Sequence, residues 1–274
     1  MACIPAAQAW ALASWDRFGD LEKSTGARIG VAAIDTGDGR TLCWRESERF
    51  LMCSSFKLSL AAAVLARADA GQERLDRVIR YQKADLLDVS PATAANLTAG
   101  MRVDALCQAA VIYSDNTAAN LLLASLGGPA GVTSFWRSLG DETSHLDRAE
   151  PMLNLPDGEK DTTTPVAMLG NLKTMLLGDV LKPESRRRLT DWMAASTTGN
   201  LMLRAGLPQS WAIGDKTGRY ANDAHNAAID LAIITPQGRK PLLIAAFTMN
   251  GRGDDAAHQA VLADIGKITA ATFA

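Results

Sequence analysis

A hydroxyl and an amine stand three residues apart at Ser54 and Lys57, inside the run Cys53-Ser54-Ser55-Phe56-Lys57. The segment that follows, Leu58-Ser59-Leu60-Ala61-Ala62-Ala63-Val64-Leu65-Ala66, is rich in helix formers and holds no Pro or Gly. A helix beginning near Ser54 brings Ser54 and Lys57 onto one face, one turn apart. The hydroxyl then sits at the positive end of the helix dipole, which favours developing negative charge. A lysine buried beside other cations gives up its proton readily and can then take one from a neighbouring hydroxyl. That is a nucleophile with its own base. Alone the spacing is weak, because S-x-x-K equally describes a serine cap beside a solvated lysine.

Three further clusters could work with it: Tyr113-Ser114-Asp115-Asn116 in a turn between helices, Glu150-Pro151-Met152-Leu153-Asn154 in a long loop, and Lys216-Thr217-Gly218 at the end of a strand-like run. Taken singly, these also read as a helix cap, a solvated loop carboxylate and a surface hairpin.

The elements that must position these clusters follow from periodicity. Trp10, Leu12, Trp15, Phe18 and Leu21 mark an amphipathic helix over 6–23, ended by Gly26. Residues 27–35 read as a mostly buried strand, 36–39 as a hairpin turn and 40–46 as its partner. Helices are expected over 103–112, 116–126, 131–139, 165–177, 183–195 and 254–272, and strands over 211–217, 227–235 and 241–249. Residues 71–103 are loop-rich, with a break at Ser90-Pro91. Residues 140–164 are polar and Pro-punctuated, too long for a plain connector. Strands thus lie at both ends and a helical block between them. The expected fold is α+β: one antiparallel sheet formed by both termini and flanked by helices, with an inserted all-helical lobe and the site between them. Within one domain, 1–274, the lobes fall at 1–50 with 197–274 and at 51–196.

Composition narrows the function classes. With 274 residues, 47% hydrophobic, 21% charged and a net charge of −2, the chain fits a soluble globular protein. It has no basic block suited to nucleic acid or an anionic membrane, and no apolar stretch long enough for a membrane helix. Three His and four Cys without a C-x-x-C pair argue against a structural zinc site. Cys3 could pair with Cys43 in an oxidising compartment, which sequence leaves open. The start, Met1-Ala2-Cys3-Ile4-Pro5, lacks the basic and apolar regions of a signal peptide, so the expectation is a cytosolic chain or a mature form with an added Met.

In this order and at these separations, S-x-x-K at Ser54–Lys57, S-D-N at Ser114–Asn116, E-x-x-x-N at Glu150–Asn154 and K-T-G at Lys216–Gly218 resemble the active-site motifs of class A serine β-lactamases. The resemblance runs through most of the chain, and the E-x-x-x-N of the omega loop separates class A enzymes from penicillin-binding proteins. It implies hydrolysis of the β-lactam amide of penicillins and cephalosporins, giving antibiotic resistance. Ser54 becomes the acylated nucleophile and Lys57 its base or proton relay. Glu150, with Asn154, activates the water that hydrolyses the acyl-enzyme, and whether Glu150 or Lys57 serves as base in acylation is disputed for the family. Ser114 passes a proton to the leaving nitrogen. Asn116 holds the substrate's side-chain amide and Lys57. Lys216 raises the positive potential near Ser114, and Thr217, within K-T-G, binds the substrate carboxylate. The oxyanion hole is implied at the backbone N–H groups of Ser54 and Arg219, and an Arg148–Asp161 ion pair closes the neck of the loop. No metal or organic cofactor is implied. The partners are small-molecule β-lactams, with no nucleic acid or membrane, and the protein is expected to be a periplasmic monomer. Two other readings compete: a D,D-peptidase, which shares Ser54, Lys57, Ser114 and Lys216 but deacylates slowly and is opposed by Glu150 and Asn154, and a noncatalytic sensor of cell-wall peptides or β-lactams, opposed by the presence of every key side chain. Turnover separates the three.

The chain departs from the family pattern in four places. Only six residues separate Asn154 from Asp161, a short loop. It either widens tolerance for bulky oxyimino cephalosporins, which comparing cefotaxime with benzylpenicillin tests, or tightens with specificity unchanged. Arg219 follows K-T-G where a small residue is usual, and it either binds the β-lactam carboxylate or points to solvent. The position of the more distant Arg that often does that job falls on His225. Val89 stands where an aromatic usually gates the site. Cys107 and Cys53 match halves of disulfides whose partner positions are here Ala61 and Tyr220, so neither bridge is expected and the carbapenemase signal is weak.

Overall fold

The structure, a computed structural model, describes residues 6–222, 225–251 and 254–274, with side chains from Asp16 onward. Its centre is a five-stranded antiparallel sheet in the order β2 (Thr41–Trp44), β1 (Arg28–Asp35), β9 (Leu242–Met249), β8 (Asn226–Thr235), β7 (Ala212–Ala221). Successive strand residues point to opposite faces, so a strand buried on both sides must be apolar throughout. The central strands β1 and β9 obey this over most of their length, whereas β7 and β8 bury Asp215, Lys216 and Asp230. Ile29, Val31 and Ala33 of β1, with Leu242, Ile244 and Ala246 of β9, enter one apolar cluster. Ala32, Leu243, Ala245 and Phe247, between them, enter the other.

The first cluster packs α1 (Ala6–Thr25) through Phe18, and α10 (Asp255–Phe273) through Leu262, Ile265 and Phe273. The short α9 (Leu203–Gly206) lies against α10. The second cluster is the helical lobe. At its centre runs α2 (Phe56–Asp69), buried at every residue from Phe56 to Leu65, which is why it is apolar all round rather than along one stripe. Around it stand α4 (Val103–Ile112), α5 (Asn116–Ser125), α6 (Pro129–Ser138), α7 (Pro165–Leu177) and α8 (Pro183–Ala194). The one-turn helix α3 (Pro91–Ala95) starts at the anticipated Ser90-Pro91 break. Two-residue ladders join β3 (Phe50–Leu51) to β6 (Thr162–Thr163) and β4 (Val78–Ile79) to β5 (Met101–Arg102). No helix among the described residues is long and apolar enough to cross a membrane.

The expected fold class holds, and most elements fall within two residues of expectation. Three local differences matter. Ser54 is not in the α-helix: Cys53–Ser55 form a 3-10 turn and α2 starts at Phe56. The strand expected over 40–46 is only Thr41–Trp44, because Arg45 turns the chain with φ +44°. β7 runs on to Ala221, since its residues pair with β8 from Ala212↔Thr235 to Ala221↔Asn226. Lys216-Thr217-Gly218 therefore lies inside a strand rather than at its end. Cys3 lies outside the described residues. Cys43, Cys53 and Cys107 are free thiols, the last two fully buried.

Candidate active site

Each cluster is carried to one place by identifiable local structure. A Cβ on Gly218 would stand 2.6 Å from the Met52 carbonyl oxygen and 2.9 Å from Ser55 N. Only glycine lets β7 lie this close to the turn that carries Ser54. Ser114 occupies the left-handed region, φ +58°. The next residue, Asp115, caps α5 by accepting from Ala118 N at 2.8 Å, while its other oxygen accepts from Ala92 N and Thr93 N at 3.0 Å. That one buried carboxylate pins the Ser114 turn to both α5 and α3.

Glu150 is held by its backbone. Its N–H donates to Asn120 Oδ1 at 3.0 Å and its carbonyl accepts from Asn120 Nδ2 at 2.9 Å. The expected pair at the loop neck is present, with Arg148 Nε donating to Asp161 Oδ2 at 2.6 Å. Arg148 Nη2 also donates to the Leu155 carbonyl at 2.5 Å, so one guanidinium ties both limbs of the loop.

The side chains converge on Ser54. Lys57 Nζ donates to Ser54 Oγ at 2.8 Å, and Ser54 Oγ donates to Glu150 Oε1 at 2.9 Å. Lys57 Nζ and Glu150 Oε1 are themselves 2.9 Å apart. Lys57 Nζ also reaches Asn116 Oδ1 at 2.5 Å and the Ser114 carbonyl at 2.9 Å. Glu150 Oε2 accepts from Asn154 Nδ2 at 2.7 Å. On the other side, Lys216 Nζ donates to Ser114 Oγ at 3.1 Å, and Lys57 Nζ lies 3.5 Å from the same hydroxyl. The Ser114 hydroxyl thus stands between two ammonium groups.

Burial sets the charges. Lys57 is fully buried, which lowers its pKa, and the charge of Glu150 opposes that fall only in part. Burial alone would raise the Glu150 carboxyl, but the Lys57 charge and hydrogen bonds from Lys57, Asn154 and Ser54 hold it below its ordinary value. Lys216 is pushed down to about 7 by burial first and by the charge of Lys57 second. Glu150 is therefore a carboxylate at neutral pH, beside two lysines that release protons easily. Such a set can remove a proton from Ser54 Oγ, return one through Ser114, and orient a water against Glu150, which is what acyl transfer to a hydroxyl needs.

These residues open on a cleft of about 160 Å³ lined by Ser54, Ser114, Glu150, Asn154, Thr217 and Arg219, among others. Of the residues given catalytic or substrate-binding roles in the sequence, Ser54, Ser114, Asn116, Glu150, Asn154, Thr217, Gly218 and Arg219 line this cleft, and Lys57 and Lys216 lie buried behind its wall. Arg219 does not simply point to solvent: it lines the cleft and pairs with Asp255 of α10 at 2.6 Å. His225 sits in the β7–β8 turn, hydrogen-bonded to Asn222, and does not line the cleft. Val89 stands at the mouth, 63% exposed, with φ +58°. Three participants went unread in the sequence: Asn120, Asp255, and Thr198, whose hydroxyl lies 2.6 Å from that of Thr217. Asn120 sits one turn after Asn116 on α5 and Asp255 follows a helix cap, but nothing local to either names its partner.

Comparison with known proteins agrees with this geometry. A sequence model of the beta-lactamase enzyme family matches residues 14–273. The carbapenem-hydrolysing β-lactamase KPC of Klebsiella oxytoca is 47% identical over 248 residues, covering 90% of this chain and 84% of its own. β-Lactamase AST-1 of Nocardia asteroides is 44% identical over 254 residues, 92% of this chain and 81% of its own. Among solved structures, the class A β-lactamase of the last common ancestor of Gram-negative bacteria superposes with a TM-score of 0.92 at 50% identity, covering 96% of this chain and all of that one. The fold and the Ser54 cluster define a protein of the β-lactamase type. The chain belongs to the beta-lactamase enzyme family, in class A.

Proposed function

We propose that the protein hydrolyses the β-lactam amide of penicillins and cephalosporins through an acyl-enzyme on Ser54, and so confers resistance to them. The observation that carries this is the placement of Glu150 Oε1 2.9 Å from Ser54 Oγ, with Asn154 on its other oxygen. In acylation Ser54 Oγ gives its proton to Glu150 or Lys57, both in reach, and attacks the lactam carbonyl. The carbonyl oxygen's developing charge falls to the N–H groups of Ser54 and Arg219. The C–N bond breaks and the nitrogen takes its proton from Ser114, which Lys57 resupplies with the proton lost by Ser54, received directly or from Glu150 2.9 Å away, while the charge of Lys216 beside Ser114 favours the transfer. In deacylation Glu150 takes a proton from a water that attacks the ester, and Ser54 leaves and is reprotonated. Asn116 orients the substrate's side-chain amide, and Thr217, Gly218 and Arg219 form the wall against its carboxylate. No step calls for a metal or an organic cofactor.

The same reading takes 1–274 as one catalytic domain, its cleft between the lobe of 1–50 with 197–274 and the lobe of 51–196. It places a monomeric enzyme in the periplasm, where β-lactams act on cell-wall synthesis. The test is the absorbance of a chromogenic cephalosporin in large excess over enzyme. Sustained loss of substrate that vanishes in Ser54→Ala, with a stable acyl adduct by mass spectrometry in Glu150→Ala, is the expected result. A burst equal to the enzyme concentration and then near silence would refute hydrolytic turnover and leave a D,D-peptidase.

A further inference from the structure

Arg219 sits on the face of β7 opposite Lys216 and Gly218, because neighbouring strand residues point to opposite sides. Its cross-strand partner, Ala228, belongs to the cluster that α10 covers. β7 is also an edge strand, so the side chain reaches the lip of the cleft and the first turn of α10 at once. There Nη1 donates to Asp255 Oδ2 at 2.6 Å, and Gln259 Nε2, one turn further along α10, donates to the same oxygen at 2.8 Å. Asp255 stands where the helix dipole favours an anion. Nε and Nη2 of Arg219 make no hydrogen bond to a described residue.

Among the described residues that line the cleft, Arg219 is the one basic side chain. Lys57 and Lys216 are fully buried and engaged with Ser54, Asn116 and Ser114. A long flexible guanidinium binds an anion more tightly when it is already held in place, since less rotamer freedom is lost on binding. We infer that Asp255, backed by Gln259, is a positioning residue: it anchors one nitrogen of Arg219 at the lip of the cleft and leaves the other donors for the carboxylate of the β-lactam. The inference rests on the β-lactamase reading of the Ser54 site and assigns a specificity role to a residue that touches no reacting atom.

The test is kcat and KM for a carboxylate-bearing cephalosporin with the full chain and four variants: Arg219→Ala, Asp255→Asn, Asp255→Glu, and the Arg219→Ala/Asp255→Asn double. Both partners are about 40% exposed, so the anchor is worth what an exposed ion pair is worth. KM should rise about two- to fivefold in Asp255→Asn with kcat unchanged. Asp255→Glu, which keeps the charge, should recover most of the loss. In the Arg219→Ala background the Asp255 change should add nothing. A KM that stays level or falls in Asp255→Asn overturns the inference, because Asp255 would then be idle or a competitor of the substrate. A rise that persists without Arg219 overturns it too, as a purely structural effect would. Ser54→Ala in the same assay tests the site reading separately, so failure of one does not mimic failure of the other.

Discussion

Asp161→Asn separates charge from shape at the neck of the loop that carries Glu150. Asp161 has φ +56°, a conformation asparagine also adopts, so the backbone is respected. One carboxylate oxygen accepts the N–H groups of Asp147 and Arg148 at 2.8 and 2.9 Å, a role an amide oxygen keeps. The other oxygen accepts Arg148 Nε at 2.6 Å, and an amide NH2 there faces a donor with a donor. Asp161 is fully buried and Arg148 is 19% exposed. Breaking a buried pair costs about 3–5 kcal/mol, and the partial exposure of Arg148 puts this one at the low end, about 3 kcal/mol. At about 2.1 cal/mol/K per residue, the 274-residue chain unfolds with an entropy of about 0.58 kcal/mol/K, so Tm should fall by about 5 °C. The loosened loop should also slow deacylation, because Arg148 lies two residues from Glu150. Calorimetry and the lifetime of the acyl-enzyme read the two effects. A Tm within about 1 °C of the parent, with deacylation unchanged, would refute the reasoning.

Three further outcomes follow from the charges and the backbone. The free enzyme's kcat/KM should decline as pH rises through about 7, where Lys216 loses its proton, and Lys216→Arg should carry that limb to higher pH; an unmoved limb assigns it to another group. Asp230, on β8, is raised well above the ordinary carboxylate range by burial and then by the charge of Asp215, with Arg204 and Lys216 opposing. Its folded-state pKa exceeds the unfolded one, so its contribution to stability is full below pH ~4 and is lost as pH rises through the folded value. Urea unfolding should therefore show the parent losing stability relative to Asp230→Asn as pH rises above ~4, and an opposite slope would sink the assignment. Val89→Asn should raise Tm by about 2 °C, since a β-branched residue at φ +58° stores about 1 kcal/mol of strain that asparagine avoids; a lower Tm counts against strain at that site.

The two levels of organisation were not equally readable. The helices over 103–112 and 165–177 coincide with α4 and α7, because apolar spacing and a proline at the first turn of α7 are local signals. The sheet strands were visible through their apolar runs, and the residues that meet around Ser54 through four short motifs in order. Boundaries failed where the partner decided them: β7 runs past Gly218 because β8 offers pairing as far as Asn226.

By itself the sequence determined the fold class, the helices and strands, and the chemical types gathered at the site, since each depends on residues within a turn or two of one another. Only the tertiary structure decided which groups touch. Asn120 clamps the backbone of Glu150, Thr198 meets Thr217, and Arg219, left between substrate and solvent by its own segment, is held by Asp255 across 36 residues of chain. Asp215 and Asp230 likewise share one buried face only because β7 and β8 pair in a particular register. Contacts of this kind arise from the packing of whole elements, and no local period or spacing encodes them.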